Sequence, residues 1–369
     1  MKKILLGLTA ILLSACSAKS IEIEVKNPTA AARNHETVEI GWNELAAKLP
    51  GLEAENILVL DTNGQQIPSQ VLYEGNENPQ RLIFQVSLPG AGTALFRIQN
   101  GNREEYPALA FGRFVPERAD DYAWENNLGA YRLYGPALAD PQTPGIDVWT
   151  KNTPRLVIDD WYAGGDYHTD KGEGMDAYKV GRTLGGGGSA PLLDEKLWLS
   201  GNYESYERLD NGPLRTTVKL TYAPFAAGST SVALEKTISL DAHSYFSRMS
   251  NVYTGGFETL PVAAGIILHE VKDTITGPDY AGIIEAVSDS RQPETDGDIA
   301  LAVILPGADR IAAVDGHLAA VGTARNGEPI LYWSGAVWSK AGVEDSAQWT
   351  ALILQKIEQI KNPLIVTVK

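Results

Sequence analysis

Three consecutive stretches decide the fold: Arg215-Thr216-Thr217-Val218-Lys219-Leu220-Thr221-Tyr222, Ser231-Val232-Ala233-Leu234-Glu235-Lys236-Thr237-Ile238-Ser239-Leu240 and Tyr245-Phe246-Ser247-Arg248-Met249-Ser250-Asn251-Val252-Tyr253. Each is alternating or β-branched, and short polar or glycine-containing segments separate them, which is the pattern of neighbouring β-strands. Runs of the same kind recur outward in both directions. Upstream they cover 21–25, 37–40, 57–60, 81–86, 93–98, 129–134, 155–159 and 196–199; downstream they cover 262–270, 299–305, 311–314, 329–338 and 364–368. Asp61-Thr62-Asn63-Gly64 and Asp315-Gly316 have hairpin-turn chemistry. Helical periodicity is confined to 42–48 and 347–360. The chain is therefore expected to be all-β, built as an antiparallel sandwich. A seam near Tyr106 to Arg118 divides a small N-terminal β unit, residues 16–105, from a larger unit, 106–369.

The N-terminus predicts export. Lys2 and Lys3 precede an apolar run from Ile4 to Leu13, and Leu13-Ser14-Ala15-Cys16 closes it. The run is too short to span a bilayer and is typical of a cleaved signal, here residues 1–15. The tetrapeptide is similar to a bacterial lipobox, so Cys16, the single cysteine, is expected to carry lipid and anchor the chain to the cell envelope without spanning it. A net charge of −15 disfavours nucleic acid and anionic membrane surfaces as partners, since both require basic patches.

The densest chemistry lies in mid-chain. Asp166-Tyr167-His168-Thr169-Asp170-Lys171-Gly172-Glu173-Gly174-Met175-Asp176-Ala177-Tyr178-Lys179-Val180-Gly181 packs titratable side chains between glycines. That density favours a site over a core, although a solvated loop has the same composition. An oxygen-rich, glycine-broken loop suits calcium or another divalent cation, with Asp166, His168, Asp170, Glu173 and Asp176 as donors, but the spacing is not that of an EF-hand. No resident cofactor is otherwise expected. The run Gly185 to Gly188 lacks the Lys-Ser/Thr ending of a phosphate-binding loop. No Gly-x-Ser-x-Gly elbow is present. Of five histidines, His35, His243 and His317 fall in loops and turns and are expected on the surface, which leaves His168 and His269. Trp124-Glu125-Asn126, the pair Arg132 and Tyr134 on one strand face, and Tyr332 to Lys340 with Trp338 join aromatic planes to polar groups, a combination that suits sugar rings; aromatics filling a sandwich core would read the same way.

Four ordered blocks resemble one family. Glu117-Arg118-x-Asp120-Asp121-x-x-Trp124-Glu125-Asn126, Arg132-x-Tyr134-Gly135-Pro136-Ala137, Tyr167-His168-x-x-x-Gly172-Glu173-Gly174-x-Asp176-x-Tyr178-Lys179-Val180-Gly181 and Asn211-Gly212-Pro213-x-Arg215 are similar to DUF4861, a Bacteroidetes domain family of unknown function. The resemblance spans nearly all of the chain beyond the signal. It implies a large galactose-mutarotase-like β-supersandwich, a fold shared with polysaccharide lyases and carbohydrate epimerases, and a glycan-utilisation setting in which an ulvan-oligosaccharide dehydratase belongs to similar proteins. Fold alone does not fix activity.

β-Elimination on a uronate oligosaccharide or polysaccharide suits these residues. The substrate carboxylate must be neutralised, a base must take the C5 proton, and the C4 oxygen must leave. The expected parts are Arg132, Lys179 and Arg215 as neutralisers, His168 as base, Tyr178 or Tyr134 as acid, and His269 as a second acid/base, with Trp124, Glu125, Asn126 and Trp338 contacting sugar. A lyase expels a sugar and a dehydratase expels water; both would use this set. A hydrolase using two of Glu125, Asp166, Glu173 and Asp176, an epimerase or mutarotase, and a non-catalytic glycan-binding lipoprotein remain as alternatives.

Overall fold

A computed structural model describes residues 19–139 and 143–369; the signal segment and Cys16 lie outside the described residues. Its centre is an eight-stranded antiparallel sheet in the order Tyr203–Asn211, Arg215–Ala227, Thr230–Asp241, Phe246–Gly255, Pro329–Trp338, Asp298–Ile304, Tyr280–Ala286 and Val271–Gly277. The three stretches that decide the fold are consecutive strands here, with Thr217 opposite Ser239 and Leu234 opposite Tyr253. Alternation sends Val232, Leu234, Ile238 and Leu240 inward. Against them pack two five-stranded sheets. One runs Lys196–Leu197, Gly186–Leu193, Thr259–Ile267, His317–Arg325, Arg310–Val314, and the other Gly174–Asp176, Asp147–Lys151, Ala130–Leu133, Asp121–Asn126, Ala110–Val115. Leu220, Ile238, Ile266, Leu301, Ala320, Trp124 and Val148 from all three sheets share one apolar core. Each large apolar side chain fully buried there is worth roughly 1.5–3 kcal/mol.

The glycine run joins the two smaller sheets. Gly185 bridges Ile146 in parallel, and Gly186 N donates to Ile146 O at 2.8 Å. Gly185 and Gly187 have φ of 59° and 128°, and a Cβ at either would collide with the Ile146 carbonyl or with Ser334 Oγ. These glycines are therefore required by the close approach of backbones.

The N-terminal unit is a separate small sandwich. A five-stranded sheet, Ile365–Val368, Ser20–Lys26, Thr93–Asn100, Ile57–Leu60, Gln66–Ile67, covers a three-stranded one, Arg33–Gly41, Arg81–Leu88, Ser69–Leu72. Ile23, Val38, Leu45, Phe84 and Ile98 fill the gap. The C-terminal strand, expected within the larger unit, instead pairs with the first strand, Ile23 opposite Val368. Helices form at Trp42–Lys48 and Ser346–Lys361, where periodicity placed them; the latter presses Trp349, Ile353 and Ile357 onto the outside of the large sheet. The strand expected over 155–159 is absent. Residues 155–157 run as loop into the short helix Ile158–Gly164, because the Glu125 carboxylate accepts the Val157 and Ile158 N–H groups at 2.8–2.9 Å. A tertiary contact there overrides local β-propensity.

Candidate active site

The strands Asp121–Asn126, Ala130–Leu133, Asp147–Lys151 and Gly174–Asp176 send one face into the core and the other outward. Registers place Arg132 opposite Asp147, Ala130 opposite both Glu125 and Trp149, and Trp149 opposite Asp176. Directly opposed residues share a face, so Glu125, Arg132, Asp147, Trp149, Lys151 and Asp176 all lie on the outer side. They are nevertheless buried. The helix Ile158–Gly164 and the segment after it cover them, with Tyr162 and Tyr167 packed on Trp149 at ring separations of 5.1 Å.

Two ion clusters occupy this covered layer. In the first, Lys151 Nζ meets Glu125 Oε2 at 2.8 Å and donates to Asn126 O at 2.7 Å. Burial pulls the Lys151 ammonium down and Glu125 opposes it. In the second, Arg132 donates through Nε to Asp147 Oδ2 at 2.7 Å and through Nη2 to Asp176 Oδ2 at 2.7 Å, and its Nη1 lies 3.7 Å from Asp121. Its guanidinium also stands over the rings of Tyr134, Trp149 and Tyr167. Three carboxylates around one guanidinium cannot all be ionised cheaply. Burial pushes Asp121 up to about 6, against the pull of Arg132. Asp176 is raised well above the ordinary carboxylate range, first by burial and then by Asp147 beside it. The phenol of Tyr134 rises for the same two reasons.

His168 stands at the exposed edge of this cluster. Backbone bonds on either side fix the loop: Asp176 N donates to Tyr167 O at 2.7 Å, and Arg291 N donates to His168 O at 3.3 Å. His168 Nδ1 lies 3.7 Å from Asp176 Oδ2 and 3.5 Å from Asp289 Oδ2. One donor atom from each of His168, Asp176 and Asp289 lies within 4.8 Å of the other two. Asp289 N donates to Ala177 O at 3.2 Å, which ties its loop to the strip after Asp176. Burial raises the Asp289 carboxyl, while His168 holds it down.

Two residues along the same strip, Tyr178 packs edge-on to His269 at 5.1 Å. His269 Nδ1 meets Glu285 Oε1 at 2.7 Å, and His269 N donates to Glu285 Oε2. Glu285 is fully buried, while the His269 side chain is 21% exposed. This dyad and the His168 group share two short stretches of chain: 176–178 on one side and 285–289 on the other. Two residues span at most about 7 Å and the four from 285 to 289 at most about 14 Å. Lys179, the residue after Tyr178, is exposed; its charge lowers the Asp289 carboxyl, and no ion-pair partner for it is found among the described residues.

Other expected residues have different places. Arg215 pairs with Asp241 Oδ1 at 2.5 Å and with Glu39 at 2.7 Å, beside a cavity of about 700 Å³ between the two units that His35, His243 and Lys356 also line. That cavity holds neither His168 nor His269; the chemistry, not a cavity, marks the site. Trp124 donates to Ser247 Oγ at 3.0 Å, Asn126 donates to the backbone of Asp241 and Ser244, and Trp338 donates to Asp296 O at 2.6 Å. With Glu125 locked to Lys151, all four are buried framework groups out of reach of a sugar, contrary to expectation. Tyr178 is also buried and donates to Ile267 O at 2.8 Å, so its hydroxyl is not poised to release a proton. Asp166, Asp170 and Glu173 do not join Asp176: Asp170 and Glu173 pair with Lys340 and Arg155, and Asp166 faces Arg291. His317 is buried, accepting from Leu184 N at 3.1 Å, and His243 is half-buried, stacked on His35 at 4.1 Å. Tyr167, Asp121, Asp147, Glu285 and Asp289 were missed as functional groups. Asp121 and Asp147 were legible through outward alternation beside Arg132; Tyr167 lies in a loop, Glu285 reaches His269 from a strand 16 residues further on, and Asp289 arrives from more than 100 residues beyond Asp176, so none of these three leaves a local signal.

A β-supersandwich carrying a covered charge layer and two carboxylate-backed histidines is thus defined. The same fold is found in a protein of glycosyl hydrolase family 38 from Enterococcus faecalis, with a TM-score of 0.53 at 9% identity over 95% of this chain; the chain spans 47% of that structure's length. By sequence, residues 25–366 match the model of the Domain of unknown function (DUF4861), and the chain belongs to that family. It is 31% identical to Uncharacterized protein P7 of Formosa agariphila, covering 98% of this chain and 97% of that protein.

Proposed function

We propose that this chain is a carbohydrate-active enzyme that performs β-elimination on a uronate-containing oligosaccharide, as a lyase or a dehydratase. The observation that supports this reading is a partly exposed histidine backed by a buried glutamate and packed on Tyr178, the residue before Lys179, an exposed lysine with no ion-pair partner among the described residues. Glu285 holds His269 in one tautomer and supports the imidazolium, leaving Nε2 to take the C5 proton. Lys179 meets the substrate carboxylate and stabilises the charge that develops as the C5–H bond breaks. The C4–O bond then breaks, the C4=C5 bond forms, and the leaving oxygen takes a proton from water. His269 returns its proton to solvent, so the step balances with no redox partner. Hydrolysis needs two accessible carboxylates across a glycosidic bond. Glu125 and Asp176 are buried in ion clusters, and the partly exposed Asp166 and Glu173 face Arg291 and Arg155, which favours elimination over that chemistry. Export and a lipid anchor at Cys16 are part of the same proposal.

Incubation with uronate oligosaccharides, followed by ultraviolet spectra and mass spectrometry, tests it. A conjugated-alkene product is expected: two fragments indicate a lyase, and loss of one water from an intact oligomer indicates a dehydratase. New reducing ends without the chromophore, or affinity with no product, would overturn the reading.

A further inference from the structure

We propose that His168, Asp176 and Asp289 bind a divalent first-row cation, of the manganese or zinc kind, at the substrate-carboxylate end of the site. The inference deepens the elimination reading and rests on it for the cation's role, though not for its binding.

The polar atoms demand a partner that the protein does not supply. Asp176 is fully buried; its Oδ2, the oxygen 3.7 Å from His168 Nδ1, accepts from Arg132, and its Oδ1 has no hydrogen-bond partner among the described residues. His168 Nδ1 is likewise enclosed and unpartnered. Buried polar atoms of this kind are rare without an ion or a water. A proton on His168 is a poor substitute, because 3.5 and 3.7 Å are too long for hydrogen bonds. The same separations suit neighbouring ligands of one ion, since bonds of about 2.0–2.2 Å place adjacent donors roughly 3 Å apart. One imidazole with two carboxylates favours a borderline metal over calcium, which takes six or more oxygens. The side-chain exposures of His168, 31%, and Asp289, 46%, leave open positions toward solvent, as in catalytic rather than structural centres.

Charge makes the case independently. The end of the site that must receive a carboxylate presents two aspartates, with Asp147 and Asp121 behind them. Arg132 and Arg118 are already engaged with these aspartates, which leaves Lys179 as the exposed cation on this strip. A cation there would offer a uronate a charge that the aspartates alone do not. With the ion in place, the substrate carboxylate is drawn to it beside Lys179, charge is withdrawn from C5, and His269 lies on the adjoining stretch to take the proton.

Equilibrium dialysis of the full chain against MnCl₂ and against ZnCl₂, with metal content measured directly, is expected to return one ion per chain. Asp289→Asn, chosen because the residue is half-exposed and its loss spares the fold, should weaken binding about 100-fold or more, as should His168→Ala. His269→Ala should keep the ion. No bound ion in either salt, or an Asp289→Asn variant that binds as tightly as the parent, overturns the proposal. Full elimination activity in chelator without bound metal also overturns the cation but leaves the elimination reading intact. A bound ion with no elimination product overturns that reading and leaves the site.

Discussion

The polar side chains around His269 have one of two jobs, and geometry separates them. Glu285 touches no solvent and acts only through His269, so Glu285→Gln should lower turnover about 100-fold or more while shifting the pH–rate profile of the base; a merely structural loss would lower Tm and leave that profile in place. Tyr178→Phe should do the reverse. It leaves the Ile267 carbonyl unsatisfied at a cost of about 1–3 kcal/mol, read by denaturant melts, with the pH profile unchanged. Lys236 belongs to neither group. It sits on the inner face of Thr230–Asp241, over the Tyr222 ring at 5.2 Å, with no carboxylate paired to it among the described residues, and burial pulls it down to about 8 from 10.5. The folded chain therefore binds fewer protons than the unfolded one between those values, and stability rises with pH from about 8 to about 10.5. Lys236→Met should remove that rise and add up to about 3 kcal/mol at pH 7, seen by comparing melts at pH 7 and 10.

At the scale of elements, the outer layer of the sheet from Ala110–Val115 to Gly174–Asp176 depends on the Lys151–Glu125 pair. Glu125 simultaneously closes the N-terminal turn of Ile158–Gly164, so strand, helix and cover stand or fall together. Lys151→Met should cost about 3–5 kcal/mol by stranding a buried carboxylate, whereas Lys151→Met with Glu125→Gln should recover much of it; paired melts distinguish the two. The long strands were legible in sequence because their alternation is a local property: the strand expected at 329–338 is Pro329–Trp338 to the residue. The helix Ile158–Gly164 was not, since two turns give no periodicity and its cause is a glutamate 33 positions upstream. The candidate site was half legible for the same reason. His168, Asp176, Lys179 and His269 stood out by local density or strand position, whereas Trp124, Glu125 and Asn126 carry an identical polar-aromatic signature and proved to be framework. Residue type cannot tell a stacking platform from a buried brace; only the cover laid over the sheet does.

For the whole molecule, the two sandwiches are coupled in part by Arg215, a residue that sequence alone assigned to substrate. Arg215 reaches Glu39 and Thr37 reaches Asp241 at 2.8 Å, so the boundary is an ion-paired seam between the units. Deleting Ile365–Val368 should unfold the N-terminal unit selectively, since Val368 closes its core, while leaving the covered charge layer intact; hydrogen exchange resolved by segment checks this. The pairing of the first and last strands has one more consequence. Lys369 N donates to Glu22 O at 2.9 Å, so the positions where the chain enters and leaves the fold are side by side. A short glycine bridge could splice them, and the polypeptide could be reopened at Thr62–Asn63 with every rung of both sheets preserved. Such a circular permutant would turn an open thread into a loop cut elsewhere, moving any tether from the first strand to the tip of a hairpin.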